Sequence, residues 1–257
     1  MGQQPAISGE PRFSVVIPAY NEEAYLPRLL DTLDRARARY LGGPDGVEII
    51  VADNASSDAT AQLATNRGCQ VVTVAERGIG AARNGGARAA RGAILAFIDA
   101  DTQVHPETFN EIDSQYATGR IIGGTTGIRF ERSSAGIAVT YAVLVFLGVA
   151  IRGVRSRTDF AVDTGVVFCG RRDFEEIGGY REQHLFGEDV WFLLDMRKLG
   201  RGRGQRLARG LAAKAVFSTR KFDEFGDWHY LTMLIRLPLS VLFGRRKWIR
   251  RYWYDGR

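Results

Sequence analysis

Ala93-Ile-Leu-Ala-Phe-Ile-Asp-Ala-Asp-Thr102 decides the fold. The uncharged run Ala93 to Ile98 follows Gly92 and stops at two carboxylates, Asp99 and Asp101, spaced i, i+2. A short apolar run bounded this way predicts a strand buried on both faces. In an open α/β sheet, ligands bind outside the carboxyl ends of the strands. Two carboxylates held close there call for a compensating cation. Their hard oxygens suit Mg²⁺ or Mn²⁺, which commonly bridge carboxylates to substrate phosphates. The competing reading is a cap: Asp101 or Thr102 opening a helix through Pro106 and Glu107.

Outward from this strand the chain repeats one unit. Phe13 to Ile17 is a predicted strand ended by Pro18, and Asn21 then caps a helix with Glu22 and Glu23 in its first turn. Leu26, Leu29, Leu30 and Leu33 mark the buried stripe of that helix up to about Tyr40. Val47 to Val51 is a second strand, ending in Asp53-Asn-Ala-Ser-Ser-Asp58, and a helix follows to about Arg67. Gln70 to Val74 is a third strand, and Ile79 to Arg91 a helix of small residues. Strands alternating with helices at this spacing predict a doubly wound, mostly parallel sheet. Its strand ends carry Tyr20-Asn21, Asp53-Asn54 and Asp99/Asp101, which converge on one crevice. Gly78-Ile-Gly80 resembles a phosphate-cradling turn, but Arg83 stands where G-x-G-x-x-G needs glycine, and no G-x-x-x-x-G-K-[ST] occurs. Standard dinucleotide and P-loop readings are therefore excluded. Arg83 either reaches a phosphate or pairs with Asp99.

Further on, Pro106 to Ala117 reads as a helix and Arg120 to Phe130 as a strand. Ser133 to Ile151 is nineteen residues without a charge. That length approaches a membrane span, but its serines, glycines and mid-chain place favour a buried or membrane-surface helix. Asp159 to Cys169 is a strand, Arg171 to Glu176 a short helix closed by Gly178-Gly179, and Leu207 to Phe217 another strand. The helix Gly187 to Gly200 has Glu188 and Asp189 in its first turn. These acids either complement the helix dipole or hold a general base at a pocket mouth.

The 257 residues are 45% hydrophobic and 25% charged, with net charge +6, which excludes wholesale disorder. Met196 to Gly210 carries six basic residues and no acid, and Gly244 to Arg257 six basic residues and one Asp. A basic second half predicts an anionic partner. No interleaved aromatic–basic motif or zinc spacing is present, so nucleic acid is not expected. Two distant cysteines, Cys69 and Cys169, predict free thiols and a reducing compartment. The polar segment 1–11 has no apolar core of a secretory signal and is expected to be disordered. The tail 221–257 mixes apolar, aromatic and basic residues, and suits an interfacial helix on an anionic membrane.

In order and pattern these motifs resemble family 2 glycosyltransferases of the GT-A fold. Ser14-Val-Val-Ile-Pro-Ala-Tyr-Asn-Glu22 resembles that family's opening strand and loop. Val51 to Thr60 resembles its D-D-G-S-x-D-x-T motif, with Asn54 in place of the second acid. Gly80-Ala-Ala-Arg-Asn84, Gly92 to Asp101, Gly165 to Gly179 and Glu188-Asp189 resemble its arginine–asparagine helix, its D-x-D strand, its acceptor-side strand and its E-D pair.

The resemblance implies a GT-A domain over 12–220, with a nucleotide-binding half about 12–102 and an acceptor half about 103–220. It implies that Pro18, Tyr20 and Glu22 line the nucleotide pocket and that Asp53 and Asn54 face base and ribose. Arg83 would hold Asp99 or the diphosphate. Asp99 would meet ribose or sugar and share with Asp101 a divalent cation, Mn²⁺ or Mg²⁺. Asp189 would be the base, with Glu188 beside it. The implied reaction is inverting transfer from a nucleotide sugar, a UDP-sugar first and a GDP-sugar second, to an acceptor hydroxyl on a glycan or lipid-linked substrate. The expected location is cytoplasmic, or peripheral at the inner face of the cell membrane. No Q-x-x-R-W motif is present, which argues against processive synthesis. The alternatives are a nucleotidyltransferase, whose Gly-rich loop is replaced by Pro18-Ala-Tyr-Asn21, and a non-catalytic protein that is a nucleotide-sugar-binding or membrane-associated scaffold.

Overall fold

The computed structural model describes residues 9–143, 165–183 and 187–228. Seven strands form one sheet in the order β3-β2-β1-β4-β6-β5-β7. They are β1 (Phe13–Ala19), β2 (Val47–Asp53), β3 (Gln70–Thr73), β4 (Ile94–Phe97), β5 (Ile121–Phe130), β6 (Val167–Gly170) and β7 (Arg206–Phe217). β1 runs parallel to β2 and β4, and β2 parallel to β3. β6 is antiparallel to β4 and β5. The expected doubly wound, mostly parallel sheet is therefore present, with antiparallel pairing inserted beyond β4.

Both faces of this sheet are buried because side chains alternate along each strand. Val15 and Ile17 of β1 and Ile94 and Ala96 of β4 enter one apolar cluster with Leu26, Leu29, Leu30 and Leu33 of α1 (Leu26–Arg39). Phe109 and Ile112 of α4 (Thr108–Ala117) join the same cluster. Val16, Leu95 and Phe97 enter a second cluster on the opposite face. There they meet Phe174 of α5 (Arg171–Ile177) and Phe192, Leu193 and Met196 of α6 (Glu188–Gly202). Phe97 packs at 5.4 Å from Phe174, 5.1 Å from Tyr180 and 6.0 Å from Phe192. α6 is thus moored to the strand that leads into Asp99.

The helix of small residues, α3 (Ile79–Ala89), lies tight on the sheet. A Cβ on Gly86 would stand 2.5 Å from Val16 Cγ1 and 3.3 Å from the Ala52 methyl, so glycine permits that approach. α2 (Thr60–Asn66) closes the unit between β2 and β3.

Two local expectations are corrected. β1 does not end before Pro18 but continues to Ala19. β4 pairs with β1 only as far as Val16, so Pro18 lies where one flank of the strand is already open. Asn21 does not cap α1, which begins four residues past Glu22 with Pro27 in its first turn. Instead Asn21 is left-handed, φ 52°, and its side-chain oxygen accepts the Ser57 N–H at 2.8 Å.

The chain divides into two compact units. The first comprises Met1–Arg129 and Asp163–Phe217, and the second Phe130–Val162 and Ser218–Arg257. Within the second unit, residues 135–143 are helical, and α7 (Arg220–Phe225) follows β7. Arg132 binds Asp223 at 2.7 Å and Asp227 at 2.6 Å, and Phe130 packs on Tyr141 and Phe222. Among the described residues, no helix is long and apolar enough to cross a membrane. The readings made for residues 1–8, 144–164 and 229–257 lie outside the described residues. So does most of the amphipathic basic tail.

Candidate active site

The carboxyl ends of β1, β2 and β4 are adjacent by register: Ala19 lies opposite Asp53, and the Asn54 N–H donates to the Ala19 carbonyl at 2.8 Å. Ile98 N–H donates to the Val16 carbonyl, which carries Asp99 to the same edge. Pro18, Tyr20, Glu22, Asp53, Asn54, Asp99 and Asp101 therefore gather at one end of the sheet.

Their environments differ. Arg77 stacks its guanidinium 4.0 Å from the Tyr20 ring centre, a cation–π contact that sequence reasoning missed because nothing in the local pattern marks Arg77. Glu22 is buried; its backbone N–H donates to Thr60 Oγ1 and its carbonyl accepts from Tyr25 and Leu26. Asp53 is buried, and one carboxylate oxygen lies 3.4 Å from the Ser56 N–H. The Asn54 amide is largely spent on structure. Its nitrogen donates to the Val74 and Glu76 carbonyls, at 2.8 and 2.7 Å, and its oxygen accepts the Gly78 N–H at 2.9 Å. Gly78, φ 146°, thus offers its N–H to Asn54.

The centre of the site is Arg83, whose side chain is 3% exposed. One terminal nitrogen donates to Asp99 Oδ1 at 2.8 Å. The other donates to Glu188 Oε1 at 3.0 Å and Asp189 Oδ1 at 2.7 Å. Its Cζ lies 5.0 Å from the Tyr180 ring centre. Of the two expectations for Arg83, pairing with Asp99 is the one observed, extended to the acids of α6. Neighbouring Asn84 holds the chain that precedes α6: it donates to the Tyr180 carbonyl and Glu182 Oε1, and accepts the Tyr180 N–H. Sequence reasoning named Asn84 without seeing this role, because the partners lie about a hundred residues away.

Burial and charge tune this cluster. Burial acts against the Arg83 charge, but Asp189, Tyr180, Asp99 and Glu188 together hold the guanidinium firmly protonated. Burial pushes the Asp189 carboxyl up to about 7, against the pull of Arg83, and Glu188 and Asp99 push in the same direction as burial. A carboxylate poised near neutrality suits proton abstraction. Glu188 and Asp189 also open α6, where backbone N–H groups favour anions. The two readings of this acid pair are therefore compatible.

Asp99 and Asp101 supply hard oxygens two residues apart, and the Asp99 side chain is 40% exposed. Among the described residues no group of three or more His, Cys, Asp or Glu could hold a metal ion. This donor set fits a cation of the Mg²⁺ or Mn²⁺ type that takes one or two carboxylates and completes its shell from substrate phosphates and water. It does not fit an all-protein metal cage.

The sheet, its antiparallel insertion and the acids at its carboxyl edge define the GT-A class of α/β fold. Residues 14–134 match the model of glycosyl transferase family 2. An undecaprenyl-phosphate 4-deoxy-4-formamido-L-arabinose transferase of Pseudomonas paraeruginosa is 40% identical over 119 residues, 44% of this chain and 34% of that protein. Across the curated relatives first matched, the shared stretch spans 25% to 47% of their length. A glucosyl-3-phosphoglycerate synthase from Mycobacterium tuberculosis, in complex with Mn²⁺, UDP and phosphoglyceric acid, superposes with TM-score 0.60 at 21% identity. That match covers 89% of this chain and 78% of the synthase. A mannosyltransferase from Pyrobaculum calidifontis, in complex with GDP-Man and Mn²⁺, superposes with TM-score 0.62 at 19% identity, covering 89% and 65%. At these identities the structural likeness bears on the fold.

Proposed function

We propose that the chain is an inverting glycosyltransferase that moves a sugar from a nucleoside-diphosphate sugar to an acceptor hydroxyl. The observation that carries this reading is the Arg83 bridge, which ties Asp99 at the donor edge to Glu188 and Asp189 on α6. One buried cation thereby fixes the spacing between a donor-side carboxylate and a candidate base. Asp189 takes the proton from the acceptor hydroxyl as its oxygen bonds to the anomeric carbon. The bond from that carbon to the diphosphate oxygen breaks on the opposite face, and the nucleoside diphosphate leaves with its electron pair. Glu188 keeps Asp189 basic through like-charge repulsion. Tyr20, Asp53 and the loop that Asn54 braces form the nucleotide end, with Pro18 and Glu22 at its base. Asp101 with Asp99 would hold a divalent cation, which when bound supplies electrostatic stabilisation of the leaving diphosphate.

UDP is the first candidate nucleotide and GDP the second; complexes of the two structural neighbours with UDP and GDP-Man support both. A lipid-linked acceptor is supported by the name of the undecaprenyl-phosphate relative, and with it a place at an anionic membrane surface. The test is calorimetric binding of UDP and GDP, with and without Mn²⁺, to the wild type and to Asp101→Ala. Metal-dependent binding of one nucleotide, weakened by the substitution, is expected. A folded protein that binds neither would remove the donor site and leave the reading as a membrane-associated scaffold.

A further inference from the structure

On the first unit lies a cleft of about 160 Å³ that none of the residues of the proposed donor site lines. Its walls come from α1 (Thr32, Arg35), the segment Gln103 to Pro106, the end of β5 (Arg129) and β7 (Lys214, Val216). By general scale this is room for roughly five waters, enough for a small oxyanion.

The lining contains three cationic side chains, one histidine and no acid. Several other arginines of this unit find carboxylates. Arg12 takes Asp113, Arg39 takes Glu107, Arg67 takes Asp31 and Asp34, and Arg91 takes Glu48. Arg35, Arg129 and Lys214 make no ion pair with any described residue. Three like charges sharing one concavity repel each other, and a bound anion relieves that cost.

The frame of the cleft is rigid. Gln103 and Val216 exchange backbone hydrogen bonds at 3.0 and 2.7 Å, and Val104 N–H is held by Thr32 Oγ1 at 3.1 Å. His105 Nδ1 accepts the Glu107 N–H at 3.2 Å, so in its neutral form the imidazole keeps its proton on Nε2 as a donor. Guanidinium forks, an ammonium and an imidazole N–H are the donors that recognise a phosphate. No aromatic residue lines the cleft to stack a nucleobase.

We propose that this cleft is a phosphate-binding site separate from the nucleotide site, taking the phosphate of a lipid headgroup or of a soluble phosphorylated ligand. One wall begins at Gln103, next to Thr102, whose N–H donates to the Asp99 carbonyl at 2.9 Å. Occupancy therefore bears directly on the turn that carries Asp99 and Asp101.

The test compares the wild type with the triple variant Arg35→Gln, Arg129→Gln, Lys214→Gln. All three side chains are exposed, so the fold is retained. Inorganic phosphate binding is measured by calorimetry without divalent metal. Vesicle binding is measured by sedimentation with phosphatidylglycerol in phosphatidylcholine against phosphatidylcholine alone. The wild type is expected to bind phosphate, falling with salt, and the triple variant to bind it roughly tenfold more weakly or worse. Parallel loss of anionic-vesicle binding assigns the headgroup as the source; loss of phosphate binding alone assigns a soluble ligand. Absence of both interactions in the wild type, or both unchanged by the triple substitution, overturns the proposal. UDP binding in the same samples reports the donor site independently.

Discussion

At the scale of single residues, the proposed chemistry turns on Arg83 and Asp189. Asp189 touches the acceptor proton in the proposed reaction, so Asp189→Asn should cut kcat roughly a hundred- to ten-thousand-fold. Nucleotide binding should be preserved, and equal loss of both would unseat it as the base. Its carboxyl sits near 7 against the pull of Arg83, so kcat/KM of the free enzyme should fall as pH drops below about 7. In Arg83→Met, or in Arg83→Gln where the methionine variant fails to fold, the charge and the nitrogen that donates to both Glu188 and Asp189 are lost. The acidic limb of the kcat/KM profile should then move upward. A limb that stays in place with reduced kcat would assign Arg83 to packing alone. Arg83 and Asp189 were both legible as candidates from sequence motifs. Their mutual contact was not, because residues 106 positions apart meet only when α3 and α6 lie on the same face of the sheet.

At the scale of elements, the segment after β2 shows how turn chemistry is set by backbone angles. Ala55 stands at φ 60°, a conformation that a Cβ disfavours by about 1–2 kcal/mol. Glycine is free of that strain but loses more entropy on folding. Ala55→Gly should therefore stabilise the protein by up to about 1 kcal/mol, read as a higher urea midpoint with unchanged slope. An unchanged or lower midpoint would mean that neighbouring contacts already absorb the strain. The sequence motif placed Asn54 at the base and ribose; the structure shows its amide bracing residues 74 to 78. An asparagine's partners are backbone groups, which carry no side-chain signature, so this bracing was invisible in the pattern. The Asn21 cap misread has a similar origin: the same residue type that caps a helix also tolerates left-handed φ.

At the scale of the whole molecule, Asp189 couples chemistry to stability with opposite signs. Its folded carboxyl titrates near 7, while an unperturbed aspartate titrates near 3.8. Between those values the folded state holds a proton that the unfolded state does not. Stability should therefore rise as pH is lowered from about 8 to about 6 while activity falls. Denaturant melts at several pH values check this, and Asp189→Asn should flatten that part of the curve. A wild-type curve already flat across the window would show that ionised Asp189 costs the fold nothing.

The sequence by itself determined the sheet class, the alternation of strands and helices through β4 and the acids at strand ends. Those features are local: alternation, apolar runs and helix stripes are written within about ten residues. Tertiary structure alone decided that β6 enters antiparallel between β4 and β5. It also decided that one buried guanidinium joins three carboxylates, and that three cations with no ion pair to any described residue share a cleft. Each of these depends on contacts between distant segments, whose energies come from burial and charge in a shared low-dielectric space rather than from any local pattern.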